Sequence, residues 1–517
     1  MQAFCTRTYD QCCSANCDRL FPSRSLGVYL GIDIGTQSVK ALLYDLDRAT
    51  VHATSSEPLP LRSDRDGTRE QEASWWIVAL EACVSRLPEA GRKAIRGVGV
   101  SGQQHGLVPL GSADQVLAPV KLWCDTTTEQ QCGEITHAFG GREHCIKSVG
   151  NAILPGYTAS KIRWLKQHRP AAYDALATVL LPHDYINFWL TGERVMEYGD
   201  ASGTGLLDIR RREWHSKMLQ AVDSDRALAE VMPPLVGAES PIGRLRNSVA
   251  ELLGLPADVP VSSGGGDNMM AAIGTGTVVA GRMTVSLGTS ATLFSSAQQA
   301  VIDSAGDIAA FCSSTGDWLP LLCTMNCTVA TELTRNALNL SLEEMEEAVA
   351  AAPVGAEGVV TLPFFNGERT PDLPRGKGCV LGLDDTNYSP GNLLRSAMES
   401  AVYGLRSGLD AFSRNHCRVD SLRLTGGGSI SAVWRQMVAD VFNLPVTVQT
   451  CDEGAALGAA LQAAWVDSGD ALVDLLDAQL SVDESRCCLP SPQRTVAYNE
   501  HYDSYRRHAE VALQLYT

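Results

Sequence analysis

One short pattern occurs twice, and it restricts the fold more than anything else in the chain. The apolar run Val28–Ile34 passes through Gly35-Thr36-Gln37 into a second strand-like run, Ser38–Asp45. About 250 residues later, Arg282–Leu287 passes through Gly288-Thr289-Ser290 into Ala291-Thr292-Leu293. A two- or three-residue turn of this kind closes a hairpin. Two matching hairpins so far apart predict two related halves, each opening with its own hairpin. At 517 residues the chain is also too long for a single hydrophobic core, which again predicts two domains. The strand-like run Gly97–Ser101 alternates with helical patterns such as 160–167, the signature of an α/β protein with mixed sheets. Punctuation at Met232-Pro233-Pro234 and Leu255-Pro256 precedes a glycine-rich apolar stretch from Val259. The expected division is an extension over 1–26, a first domain over 27–257 and a second over 258–517. The last helix, read over 498–516, is polar-faced and has the option of packing back on the first domain.

Charge narrows the partners. Fifty-nine acidic against 42 basic side chains leave −17 at pH 7, a field that repels phosphate backbones and anionic bilayers. Nucleic acid and membrane are therefore not expected as partners, and a small anion would need local dipoles or a metal. No uninterrupted apolar run approaches the 18 residues of a membrane span. The 16 cysteines are too few for a disulfide scaffold and contain no Cys-x-x-Cys pair, which suits buried thiols in a reducing compartment. The first 26 residues hold Cys5, Cys12, Cys13 and Cys17 but no signal-peptide core. A disordered leader is the plainer reading there, ahead of a zinc-binding extension, because the spacing fits no common zinc pattern.

Several segments could carry chemistry. The Gly35-Thr36-Gln37 turn aims backbone N–H groups and a hydroxyl into one concavity, which suits phosphate oxygens. Asp33, just before it, can hold a divalent cation directly or through water; the plainer alternative is an Asp that caps the turn. Gly288 and Thr289 offer a second such turn from the other half. The strand 422–425 runs into Gly426-Gly427-Gly428 and then a helix over 432–442 that Ser431 can cap. Glycines admit a flat ring or phosphate to the backbone, although a tight strand-to-helix turn would use them too. A small-residue helix from Glu453 to Ala460 reads as a close-packing element. Asp267 follows three glycines and has Asn268 beside it, so it can act as a general base for phosphoryl transfer, as an N-cap for a helix beginning near Met269, or as both. In the loop Ser101–Gly106, His105 has no carboxylate nearby in sequence, which favours ligand binding over catalysis.

Two extended motifs, Gly156-Tyr157-Thr158-Ala159-Ser160-Lys161-Ile162-Arg163-Trp164 with its continuation to His168, and Gly378–Leu383 through Asn392-Leu393 and Ser396–Glu399, join these pieces. In this order, over about residues 27–465, the set resembles the FGGY carbohydrate kinases of the actin-like ATPase superfamily. The resemblance implies an α/β fold of two actin-like ATPase (ribonuclease H-like) domains with a cleft between them. Ser101–Gly106, Leu181–Tyr185, Asp200–Thr204 and Glu70–Trp76 are similar to the branch that acts on D-xylulose. Gln104, His183 and Met269-Met270 depart from that branch's commonest residues, Lys being frequent where His183 stands. The implied activity is ATP-dependent phosphorylation of D-xylulose to D-xylulose 5-phosphate, with ATP and Mg²⁺ as cofactors. The implied sugar contacts are Gln104, His105, Asp267 and Asn268, with Asp267 as base. Thr36, Gln37, Gly288 and Thr289 would hold phosphates, Gly426, Gly427, Gly428 and Ser431 the adenosine, and Asp33 the Mg²⁺. Sugar and ATP are the expected partners, a cytoplasmic location is expected, and a homodimer is left open. A kinase for ribulose, gluconate or glycerol is the alternative, and a non-catalytic protein of the same fold the remoter one.

Overall fold

The computed structural model describes residues 27–371 and 373–516; the cysteine-rich segment 1–26 lies outside them. The expected hairpin forms from β1 (Val28–Ile34) and β2 (Ser38–Asp45), paired antiparallel, and β3 (Thr50–Pro58) extends it. β4 (Ile95–Gly102) adds to β1 in parallel. Helices α1 (Thr158–His168), α2 (Pro182–Thr191) and the single-turn α3 (Tyr198–Ala201) follow, and Ile162, Leu165 and Ala201 enter a separate apolar core. The sheet is finished by β5 (Gly243–Arg244), β6 (Pro260–Val261) and β7 (Gly265–Gly266), giving the order β5-β6-β4-β1-β2-β3 with β7 also on β4. The boundary expected at 257/258 thus falls ahead of the last two strands of the first sheet.

The chain then turns into helix α4 (Asp267–Gly274) and repeats itself. β8 (Gly281–Leu287) and β9 (Ala291–Ser295) form the second hairpin, β10 (Leu321–Thr324) extends it, and β11 (Val419–Thr425) and β12 (Val446–Val448) add in parallel. The order β10-β9-β8-β11-β12 reproduces that of the first sheet. Even an irregularity recurs: the β1–β4 register slips between Val28 and Tyr29, and the β8–β11 register between Gly281 and Arg282. Helices α5 (Pro390–Arg414), α6 (Ala432–Phe442), α7 (Gly454–Ser468) and α8 (Pro492–Tyr516) complete the fold.

Alternation along β1 sends Leu30, Ile32 and Ile34 into one core with Trp76 and Leu80, and turns Tyr29 to the opposite face. On that face lies α7. A Cβ on Gly31 would come within 1.9 Å of the Ala456 carbonyl oxygen, and one on Gly99 within 2.0 Å of that of Ala459. The same helix meets α4 equally closely, since a Cβ on Gly458 would stand 1.8 Å from the Met270 oxygen. The small residues of α7 therefore serve backbone-to-backbone packing. Helix α8 does not pack back on the first sheet but in the second half's core, where Tyr498, Tyr502 and Tyr505 surround Tyr403 of α5. Its anchor is polar: Arg395 donates to the Tyr498 hydroxyl (2.7 Å) and the Tyr502 hydroxyl donates to Asp410 (2.6 Å).

Among the described residues the 12 cysteines are free thiols, no group of three side chains could cage a metal, and no helix is long and apolar enough to cross a membrane.

Candidate active site

The loop after β4, the start of α4 and the turn after β8 border a cavity of about 480 Å³, lined among others by Gln104, His105, Asp267, Asn268, Gly288 and Arg369. Asp267 is the first residue of α4; Gly266, not Asp267, holds the capping position, so the expected N-cap is displaced by one residue. The Asp267 Oδ1 accepts from the Asn268 backbone N–H (2.7 Å) and from Asn268 Nδ2 (2.9 Å). Asn268 Nδ2 donates in turn to Gln104 Oε1 (2.8 Å), and its Oδ1 accepts from the Thr292 hydroxyl (3.0 Å). Burial pushes the Asp267 carboxyl up to about 7, and the charge of Asp33 adds to the push. The hydrogen bonds from Asn268 work against that rise without cancelling it. A carboxyl poised near neutrality can exchange a proton at working pH.

His105 does have a carboxylate, contrary to the expectation from sequence. Its Nδ1 lies 2.8 Å from Asp200 Oδ1, and its backbone N–H donates to the same oxygen (3.2 Å) across 95 positions. The backbone takes a left-handed turn at His105 (φ 63°), which brings ring and N–H to one acid. Asp200 is buried on α3, whose N-cap Glu197 accepts from Gly199 N (2.7 Å) and Asp200 N (3.2 Å). On its other side stands His183, with Nδ1 3.5 Å from Asp200 and Nε2 2.9 Å from Asp184. Burial disfavours charge on His183, yet Asp184 and Asp200 together push it up to about 10. Burial would raise Asp200 as well, but the two flanking histidines hold it down at about 2. For His105 burial prevails over Asp200 and keeps the pKa below the ordinary value. Nδ1 faces Asp200 while the ring lines the cavity, where it can meet a ligand.

The loop is pinned from below by Lys161. This fully buried ammonium donates to the carbonyls of His105 and Gly156, both at 2.7 Å, and burial lowers its pKa to about 7. Tyr157 and Phe311 flank the imidazole at centroid distances of 5.2 and 5.4 Å.

The two turns differ in what they offer. The Thr36 hydroxyl donates to Gln103 Oε1 and accepts from Trp123 Nε1, both at 3.0 Å, and Gln37 is exposed. Asp33 accepts from the Ser101 hydroxyl (2.7 Å), and burial raises its pKa against the opposing effects of Ser101 and Lys40. In the second turn Thr289 is exposed, while the Gly288 and Thr289 carbonyls accept from Thr328 (3.0 Å) and Cys327 (2.9 Å). Of the three glycines, Gly426 (φ 82°) and Gly428 pack on Leu287, at 2.7 and 2.8 Å from an added Cβ, and only Gly427 faces open space. Ser431 caps α6 through the Trp434 N–H (3.1 Å). Asp33, Thr36, Gln37, Thr289 and the glycine loop lie outside the lining of the cavity. Asp200, Lys161, Trp123 and Arg369 were not singled out from sequence as site residues. Membership in the motifs 156–168 and 200–204 was the available signal for Lys161 and Asp200, and there was none for the other two.

Comparison with known proteins gives the family and the fold. The family model described as the N-terminal domain of the FGGY family of carbohydrate kinases matches residues 28–274, and the C-terminal model matches 269–466. A Haemophilus influenzae protein named xylulose kinase is 41% identical over 488 residues, spanning 93% of this chain and 99% of its own. A Bacillus subtilis protein of the same name is 34% identical, spanning 92% and 95%. The solved structure of a Brucella ovis kinase of that type superposes with a TM-score of 0.87 at 29% identity over 94% of this chain and 100% of the other. Plasmodium falciparum glycerol kinase, at 18% identity and a TM-score of 0.82 over 93% and 98%, shares the fold. The two repeated sheets are those of the two-domain actin-like ATPase fold, and the chain, an ATP-dependent sugar kinase, belongs to the FGGY family of carbohydrate kinases.

Proposed function

We propose that this kinase transfers the γ-phosphoryl group of ATP to the terminal hydroxyl of linear D-xylulose, giving D-xylulose 5-phosphate and ADP. The observation that carries the reading is Asp267: a carboxyl raised to about 7, set in the cavity beside Gln104, His105 and Asn268. The relatives named xylulose kinase, which span nearly the whole sequence, support the choice of sugar. Gln104, Asn268 and His105 offer hydrogen-bonding groups to sugar hydroxyls. Asp267 takes the proton of the terminal hydroxyl as that oxygen bonds to the γ-phosphorus and the bond to the β,γ-bridging oxygen breaks. In such transfers, positioning and electrostatics supply most of the rate.

Asp33 and Asp267 load the cleft with two carboxylates close enough for one to raise the other, a setting that suits a divalent cation. Asp33 would hold Mg²⁺ there, directly or through water. When bound it neutralises phosphate charge. The Gly288 turn and the open face of Gly427 are assigned to the phosphates and the adenosine, and Thr36 acts by fixing the first turn.

The test is ADP release with Mg-ATP and D-xylulose, D-ribulose, L-ribulose, glycerol, gluconate or no sugar, for wild type and Asp267→Asn. Preference for D-xylulose that vanishes in the mutant supports sugar and base together. Preference for another sugar moves the substrate, and undiminished turnover in Asp267→Asn removes the base.

A further inference from the structure

The loop from Asn366 to Pro371 brings a charge into the cavity that the reaction above has not used. Arg369 lines the cavity with Gln104, His105 and Asp267, although it comes from the other half. One of its terminal nitrogens lies 3.5 Å from the point a Cβ would occupy on Gly156, and the Trp123 carbonyl oxygen lies 2.6 Å from that same point. The Trp123 indole is the group that donates to the Thr36 hydroxyl. The guanidinium therefore stands against the wall that supports the first turn, in space kept open by the absence of a side chain at position 156.

Its sequence neighbour is not its counter-ion. Glu368 is buried, and its carboxylate accepts from the backbone N–H groups of Met325 (2.5 Å) and Arg369 (2.8 Å) and from Asn326 Nδ2 (3.0 Å). Asn326 also donates to the Gly367 carbonyl (2.7 Å) and accepts from the Asn366 N–H (3.2 Å), so the loop is held on both sides of the arginine. Among the described residues no carboxylate pairs with the Arg369 guanidinium. In a protein of net charge −17, a cation with no carboxylate partner among the described residues, on a braced loop in a cavity, marks a place where an anion is held. The planar fork of a guanidinium fits two oxygens of a phosphoryl group, whereas a neutral ketose supplies no charge to offset its desolvation.

We propose that Arg369 binds the phosphoryl group during transfer and on the phosphorylated sugar, and makes no comparable contribution to binding the neutral sugar. This rests on the phosphoryl-transfer reading above. It adds that the half opposite Asp267 supplies the cation on the acceptor side, and that the contact strengthens as charge arrives on the sugar, which is how a contact lowers a barrier.

Full-length wild type, Arg369→Gln and Arg369→Lys are compared in three readouts: kcat, the Kd of D-xylulose and the Kd of D-xylulose 5-phosphate, the last two by calorimetry without nucleotide. For Arg369→Gln, kcat falls roughly 100-fold and the product binds about 10-fold more weakly, while the sugar Kd moves by less than about 2-fold. Arg369→Lys recovers part of the loss, because charge returns without the fork. Equal weakening of sugar and product would show that Arg369 reads the neutral sugar and would overturn the proposal, as would unchanged kcat and product affinity. Loss of folding in both variants would make the residue structural and overturn it as well. If wild type phosphorylates a different sugar, the substrate reading fails by itself, and the same comparison is made with that sugar and its phosphate.

Discussion

At the tip of β1 the turn threonine has its hydroxyl engaged on both sides, by Gln103 and Trp123, and Gln71 grips the Thr36 carbonyl (2.8 Å) while bonding Trp76 and Gln103. At the tip of β8 the equivalent threonine is exposed, and the turn is tied instead through its carbonyls to residues 327 and 328. The strand order and even the register slip are shared, so the backbone plan does not account for the contrast. What differs is which groups remain for a ligand. The first half spends side chains on bracing and carries the acids Asp33, Asp200 and Asp267. The second half leaves Thr289 and Gly427 exposed, and at Gly427 a ligand can approach the backbone closely.

The strongest way to break this contrast is to neutralise the acid. Asp267→Asn should lower sugar-dependent kcat by about 10²–10⁴-fold with little change in ATP affinity, read by ADP release and nucleotide titration. Next is pH. With the Asp267 carboxyl at about 7, the base is protonated below that value, so kcat/KM of the free enzyme should fall about tenfold per pH unit on the acid side. The stability sign is opposite. A carboxyl raised on folding holds its proton in the native state after the unfolded state has lost it, so its contribution declines as pH rises from about 4 toward about 7. Thermal melts of Asp267→Asn should therefore exceed wild type at pH 8, and the gap should close toward pH 4.

The second half is tested by its glycines. Gly426→Ala forces a methyl group onto a positive φ and against the Leu287 carbonyl, and should cost about 1–3 kcal/mol in denaturant unfolding. Gly427→Ala meets nothing within 4 Å and should leave stability within about 0.5 kcal/mol, yet raise KM for ATP if adenosine lies there. The turn threonines compare the two halves at one equivalent position. Thr36→Val strands the Trp123 indole and should cost about 1–3 kcal/mol, while Thr289→Val at its exposed position should cost under about 0.5 kcal/mol.

The hairpins, the capping of α6 by Ser431 and the small-residue character of α7 were legible because each depends on a few adjacent residues. The pairing of His105 with Asp200 was not, since 95 positions separate them and the left-handed turn at His105 leaves no pattern of its own. A run of three glycines announced a tight turn without telling which glycine faces outward, because that depends on where Leu287 lies. Asp267 was found, but its place at the first turn of α4 instead of at the cap depends on a backbone angle of Gly266. Arg369 stood in sequence as one basic residue in a loop, and its meaning came only with the cavity.

Helix α7 also has a consequence in time. The glycines of β1 and β4 are covered by a segment encoded almost at the other end of the protein, so a ribosome that has released everything up to Gly274 has made a sheet with one face still bare. At ordinary elongation rates, about 10–40 s pass before Gly454–Ser468 is made. During that interval the nascent first half exposes apolar surface to chaperones and to its neighbours on the polysome. Expression of residues 27–274 alone would make that vulnerable stage permanent, and such a fragment should be less soluble than the full chain, as sedimentation of the expressed fragment would show.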